Sequence, residues 1–307
     1  MPSCPRFENS GGQLGPQPEG RSQAQDCETK LPKAIRSIFL KKWPVELVSC
    51  EKEPNFIFLL TLPNSGSTAI SKVFRSSPKV DALRDNGEGQ WLIKGMCEKD
   101  RWEKDKAINA QSVRSVWLKT CQAIQEEHPQ VEFFIEKSPP NMMRIDLIRE
   151  LFPNHVMIAN NRDPYANVSS IFHRYQKPKE IEAFSADRRK AKMQRIARTW
   201  VERSEILREL ILEHDIPLLT YEQFCNEPRT LQDILKGIPF TQSIELDFKS
   251  SFKVKDYEMQ GVVNFNAKQM ANLTPKDIAD INEILAPHEE TLAFFGYELL
   301  AAELEVA

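Results

Sequence analysis

Six cysteines occur in the chain, yet no two form a Cys-x-x-Cys pair, and the five histidines show no metal-ligand spacing. Neither a disulfide framework nor a zinc site is therefore expected, and a reducing compartment suits such a set. Long apolar runs are missing as well. No stretch is long enough to cross a bilayer, and the N-terminus has no hydrophobic signal-peptide core. These absences lead us to expect a soluble, intracellular, cytoplasmic protein with no membrane partner. Nor is there an excess of one charge. The formal net charge is −3 over 307 residues, which gives no global reason for nucleic-acid binding, so any basic function must be local. Finally, the Gly-x-x-x-x-Gly-Lys-[Ser/Thr] loop of nucleoside-triphosphate sites is absent, which argues against a standard ATPase or kinase.

What is present begins with Asn55 to Phe74, NFIFLLTLPNSGSTAISKVF. Phe56 to Leu60 form an apolar run suited to a strand buried on both faces of a parallel sheet. Pro63 stops it, Gly66 can adopt unusual backbone angles, and Ser67 and Thr68 are good caps for a helix with Ile70, Val73 and Phe74 on one face. Such a strand, turn and helix start leaves N–H groups at the positive end of the helix dipole. It is either an anion-binding loop or an ordinary strand-to-helix turn.

Two further units repeat the pattern. Val131–Glu136 is a strand expectation followed by Lys137-Ser138-Pro139-Pro140 and a helix from Asn141 to Leu151. His155–Asn160 is another, followed by Asn161-Arg162-Asp163-Pro164 and a helix. A helix from Ala107 to Glu127 precedes them, and Ile216–Thr220 offers a fourth strand with Tyr221 at its end. Thr274-Pro275 opens a last helix that ends before Gly296. Alternation of this kind makes a parallel sheet whose ligands gather beyond the strands' carboxyl ends. Ser65 to Thr68, Lys137 with Ser138, and Arg162 with Ser169 and Ser170 would then meet at one edge. Arg162 offers a planar fork for a phosphate, its alternative being a salt bridge to Asp163 or Asp187.

Other segments read less sharply. Residues 1–32 have a disordered composition, rich in Gly, Pro, Gln and Ser, and residues 33–307 read as a single domain that begins with a short helix between Lys33 and Trp43. Glu88 lies in a loop between two glycines and is either solvated or catalytic. The basic run through Arg188, Arg189, Lys190, Lys192, Arg195 and Arg198 is a solvated helix face or a rim that attracts an anion. Asp247 to Ala267, with Lys253, Lys255, Asn264 and Asn266, is a candidate closing loop.

The segments TLPNSGSTA, EKSPPNMMRIDLIRELFPNHVMI, NRDPYANVSS, LLTYEQFCNEP and FFGYEL together resemble the sulfotransferases that use 3′-phosphoadenosine 5′-phosphosulfate (PAPS). The resemblance runs from Asn55 to Leu299 and is closer to the tyrosylprotein and bacterial or carbohydrate-type branch than to the cytosolic phenol and steroid branch. It implies an α/β, P-loop-like three-layer fold with a central parallel sheet flanked by helices. Pro63, Asn64, Ser65, Gly66, Ser67, Thr68 and Ala69 would hold the 5′-phosphosulfate. Arg162 and Ser170 would hold the 3′-phosphate, Tyr221 would support the nucleotide, and Lys137 would stabilise the sulfuryl group in flight. Pro139 and Pro140 stand where the cytosolic branch carries its histidine base. The tyrosylprotein branch instead uses a glutamate after the first helix, and Glu88 stands at a similar place, with His173 or Glu136 as fallbacks.

One departure concerns the loop. The family usually has Lys or Arg before Ser-Gly, where this chain has Asn64, so Lys72, Lys137, Lys253 or Lys255 would have to supply the charge. The resemblance implies PAPS as donor and no metal, but it does not specify the acceptor. Asp85, Asn86, Glu88 and Gln90 on the acceptor-side loop, with no membrane anchor, lead us to expect a hydroxyl or amine of a polar small molecule, natural product or glycan. The alternatives are a homologue that binds the nucleotide with lost or weak turnover and, more distantly, a small-molecule kinase.

Overall fold

The β1 strand, Asn55–Thr61, is the axis of the sheet, and all but its first residue are buried. The computed structural model describes residues 53–176, 178–253 and 259–301. The expected tail at 1–32, the helix between Lys33 and Trp43, and Lys255 lie outside those residues. In chain order β1 is followed by α1 (Ser67–Phe74), β2 (Val80–Ala82), a 3-10 turn at Gly89–Leu92, α2 (Ala110–Glu127) and β3 (Phe133–Glu136). A 3-10 turn at Pro139–Arg144 leads into α3 (Ile145–Leu151), β4 (His155–Asn160), α4 (Pro164–Tyr175), α5 (Pro178–Glu182) and the long α6 (Ala186–His214). Then come α7 (Tyr221–Asn226), α8 (Arg229–Gly237), the two-residue strands β5 (Phe252–Lys253) and β6 (Met259–Gln260), α9 (Asn266–Met270), α10 (Pro275–Leu285) and α11 (Glu289–Phe294).

The main sheet has the order β2-β3-β1-β4, and every pairing in it is parallel. Phe58 is opposite Glu136, and Thr61 is opposite Asn160, so the carboxyl ends of β1, β3 and β4 open on one edge as expected. Alternation along β1 divides its side chains between two layers. Ile57 and Leu59 pack with Ile70, Val73 and Phe74 of α1, Phe224 of α7, and Leu231 and Leu235 of α8. Phe56 and Phe58 face the other way, into an aromatic cluster with Trp117 of α2 and Phe152. Covering both faces is what a parallel sheet requires, and it gives the three-layer α/β architecture implied by the sequence.

Several expectations shift. Ile216–Thr220 makes only one parallel bridge, Leu218 to Ala159. Pro217 has no N–H for a ladder, and Thr220 turns away to cap α7, its hydroxyl accepting from the Gln223 N–H at 3.2 Å. The helix expected from Asn141 begins as α-helix only at Ile145, after a 3-10 stretch that starts with Pro139 and Pro140. The last helix is interrupted by a 3-10 turn at Ala286–His288, where Pro287 cannot donate. Its start does follow the capping rules: Thr274 and Asp277 form a capping box. The α2 helix begins three residues later than expected because Asn109 caps it, accepting from the Ser112 N–H at 2.9 Å.

Candidate functional site

The loop after β1 turns on two left-handed residues, Asn64 at φ 61° and Gly66 at φ 81°. Asparagine is one of the few residues with a side chain that tolerates this region, which gives Asn64 a steric reason to be there. Gly66 is the N-cap of α1. Ser67 and Thr68, expected as caps, instead occupy the first turn, where main-chain N–H groups have no intrahelical acceptor. A Cβ on Gly66 would lie 2.2 Å from Cδ2 of Tyr221, so the aromatic ring rests against the loop. From α4, Asn167 braces the loop by donating Nδ2–H bonds to Pro63 O at 2.9 Å and to Ser65 Oγ at 3.2 Å. Ser65 is fully buried, whereas Pro63, Thr68 and Ala69 are half-buried.

Arg162, beyond the end of β4, is tied to the same loop. Its Nη1 donates to Asn64 O at 3.0 Å, its Nε donates to Asn266 Oδ1 at 2.8 Å, and its guanidinium stacks over the Tyr221 ring at 4.3 Å. Trp200 of α6 holds the Arg162 carbonyl from behind through its indole N–H at 3.0 Å. The remaining terminal nitrogen, Nη2, is buried with no hydrogen-bond partner among the described residues. No ion pair joins Arg162 to Asp163 or Asp187 among the described residues. Tyr221 donates its hydroxyl to Val263 O at 3.1 Å and accepts from the Phe265 N–H at 3.0 Å, which ties the segment before α9 to the site. Ser170 is half-buried on α4, while its neighbour Ser169 donates to Gln269 O and serves packing against α9.

Glu88 and Lys137 form the second centre. Lys137, 2% exposed, donates from Nζ to Glu88 Oε1 at 3.0 Å. Glu88 Oε2 accepts from Trp91 Nε1 at 2.7 Å and Gln90 Nε2 at 3.0 Å. Burial pushes the Glu88 carboxyl upward, but the Lys137 charge and the bonds from Trp91, Lys137 and Gln90 outweigh it and hold the group below its ordinary value. A Cβ on Gly87 would lie 2.9 Å from Ser71 Oγ and 3.1 Å from Lys137 Cε, so the lysine stem runs between this loop and α1. Glu136 is fully buried and its carboxylate is taken up by three donors, so it is unsuited to meet an incoming acceptor. His173 lies near the end of α4, its Nδ1 against Ser169 O at 2.9 Å.

The other charged candidates divide by face. Lys72 is paired with Asp85 at 2.8 Å, on an exposed carboxylate. Arg189 and Lys190 bind Asp277, Asp280 and Glu283 and so join α6 to α10. Arg188, Lys192 and Arg195 instead line a cavity of about 240 Å³ with Phe184. No group of three or more His, Cys, Asp and Glu side chains is placed to hold a metal ion among the described residues. No helix among them is long and apolar enough to cross a membrane.

Asn167 and Trp91 escaped the sequence reading as site residues, and Asn266 entered it only as part of a loop. Their signal was weak: Asn167 lies inside NRDPYANVSS and Trp91 three residues after Glu88, but neither position announces a partner.

The model of the protein family described as "Sulfotransferase family" matches residues 54–242. Among solved structures, sulfotransferase STF9 from Mycobacterium avium aligns at 15% identity over 91% of this chain and 83% of its own, with a TM-score of 0.50. The sulfotransferase from Alicyclobacillus acidocaldarius aligns at 12% identity over 81% of this chain and 98% of its own, with a TM-score of 0.46. Mouse sulfotransferase SULT7A1, complexed with PAP, aligns at 13% identity over 80% and 89%, with a TM-score of 0.43. No curated protein sequence matches the chain.

Proposed function

Because this chain belongs to the sulfotransferase family, we propose that it transfers the sulfuryl group of PAPS to a hydroxyl or amine of a polar acceptor, a small molecule, natural product or glycan. The observation that carries the choice of donor is Arg162. Its guanidinium is held on three sides, by Asn64 O, Asn266 and Tyr221, while its buried Nη2 has no protein acceptor among the described residues. A buried cation fixed in this way fits a phosphate oxygen, and together with Ser170 it would receive the 3′-phosphate. The loop Pro63–Ala69 and the first-turn N–H groups of α1 fit the 5′-phosphosulfate.

When bound, PAPS supplies an activated sulfur whose bond to the 5′-phosphate breaks as the bond to the acceptor forms. Glu88 takes the proton the acceptor loses, and Lys137 steadies negative charge on the sulfuryl oxygens. The Glu88–Lys137 contact makes these roles interdependent. If Lys137 turns toward the sulfuryl group, Glu88 loses its main countercharge and becomes more basic. With Lys72 bound to Asp85, Lys137 is the buried cation that replaces the missing loop charge at Asn64. The polar side chains at Asn86 and Glu88 favour polar acceptors over steroids.

The test is calorimetric binding of 3′-phosphoadenosine 5′-phosphate (PAP), followed by incubation of radiosulfur-labelled PAPS with phenols, sugars and amines. Binding with transfer supports the proposal. Binding without transfer to any acceptor class would make the chain a silent nucleotide binder, and failure to bind PAP would remove PAPS as donor.

A further inference from the structure

Glu136, the last residue of β3, has no exposed surface. Its Oε2 accepts from the Gly89 main-chain N–H at 2.5 Å, and its Oε1 accepts from Ser138 N–H at 2.8 Å and Asn141 Nδ2–H at 3.2 Å. Gly89 directly follows Glu88, and Ser138 directly follows Lys137. One carboxylate therefore bridges the two peptide segments that carry the reacting pair. Further bonds close the bracket: Lys137 N–H to Gly87 O at 2.9 Å, Gln90 N–H to Ser138 Oγ at 3.1 Å, and Trp117 Nε1–H to Gly89 O at 3.2 Å. The fit leaves no room for a side chain at Gly89, where a Cβ would lie 2.8 Å from Glu136 Oε2 and 2.6 Å from Leu83 Cδ1. Buried carboxylates are normally paired with a cation. Lys137 is the adjacent residue, yet its ammonium goes to Glu88.

We propose that Glu136 is a positioning residue for sulfuryl transfer, its two carboxylate oxygens fixing the Gly89 and Ser138 peptides so that Glu88 stays against Lys137. This rests on the reading of Glu88 as proton acceptor. The titratable groups beside Glu136 are Glu88 and Lys137; the other partners, the Gly89 and Ser138 peptides, the Ser138 hydroxyl and Asn141, are neutral. Burial raises the Glu136 carboxyl to about 7, against the pull of the Ser138 and Gly89 bonds, and the Glu88 charge raises it further. Protonation would set an O–H where an N–H now seeks an acceptor, so the bracket is tight when Glu136 is ionised and loose when it is not.

The indole N–H groups of Trp91, on Glu88, and Trp117, on Gly89 O, report on this bracket in ¹⁵N-edited NMR spectra without needing an acceptor substrate. The Trp117 signal is expected to titrate with a midpoint near 7 in the wild type, to titrate with a lower midpoint in Glu88→Gln, which lacks the charge that raises Glu136, and to stay flat in Glu136→Gln. Transfer from radiosulfur-labelled PAPS to a phenol, sugar and amine panel should fall about 10²-fold in Glu136→Gln, with PAP affinity unchanged. Wild-type transfer in Glu136→Gln, or a Trp117 titration that survives in it, would overturn the proposal. Should Glu136→Gln fail to fold, Asn141→Ala removes one donor from Glu136 and is expected to move the Trp117 midpoint upward; an unmoved midpoint also overturns it. An active Glu88→Gln would instead refute Glu88 as base, and the Trp117 titration would still stand, so the two failures are separable.

Discussion

Glu88 and Lys137, 49 positions apart in the chain, meet at 3.0 Å with the lysine almost fully buried. An ion pair this well enclosed is costly to break from one side. Replacing Glu88 by Gln is expected to lower transfer from PAPS by about 10²–10⁴-fold, the usual value of a general base, while PAP affinity stays within about twofold. Radiosulfur transfer and calorimetry on the same preparation check both halves.

The role proposed for Arg162 is in nucleotide binding rather than in proton transfer. Losing a charge-assisted hydrogen bond costs about 1.5–3 kcal/mol, so Arg162→Ala should weaken PAP by roughly 10–100-fold. Arg162→Lys keeps the charge but not the fork held by Asn64 O and Asn266, and should restore only part of the affinity. Equal PAP affinity in Arg162→Ala and wild type would place the phosphate elsewhere.

The loop makes a stability prediction. Gly66→Ala sets a Cβ against Tyr221 at a positive φ, combining backbone strain with overpacking, and should cost about 2–4 kcal/mol in urea unfolding. Asn64→Gly, at φ 61°, should be close to neutral. Asn64→Lys, which restores the family's loop cation, should cost about 1 kcal/mol.

Stability should also carry the signature of Glu136. Its carboxyl rises from 4.5 in an unperturbed chain to about 7 in the fold. Between those values the folded chain holds a proton that the unfolded chain has released. The stabilisation is thus full below 4.5 and lost as pH rises through 7. Glu136→Gln has no such dependence. Relative to wild type it should gain stability with rising pH across that window, by up to about 1.4 kcal/mol per pH unit, as measured by urea unfolding at a series of pH values.

Much of this architecture was legible because it is local. The apolar run Phe56–Leu60, the glycine turn and the repeated strand-to-polar-cluster pattern are each contained within about twenty residues, and together they located the sheet edge where Asn64, Lys137 and Arg162 stand. Periodicity misled where a proline decided the outcome, at Pro217 and Pro287, since neither disturbs the hydrophobic pattern it interrupts. The bracing of the site was hidden for a different reason. Gly89 to Glu136 spans 47 positions and Arg162 to Asn266 spans 104, and no spacing rule links residues so far apart. The role of Asn64 also needed coordinates. Its φ of 61° and its carbonyl bond to Arg162 give the loop a use for asparagine that a comparison of side-chain charge does not suggest.

The acceptor and the chemistry can be tested together by incubating a small-molecule extract with isotopically labelled PAPS and either the wild-type protein or Glu88→Gln, followed by untargeted mass spectrometry. Sulfuryl transfer through Glu88 predicts labelled, sulfated polar products with the wild type that are reduced at least about 10²-fold with Glu88→Gln. Equal labelling by the two proteins, or no labelled product from a wild type that binds PAP, would contradict it.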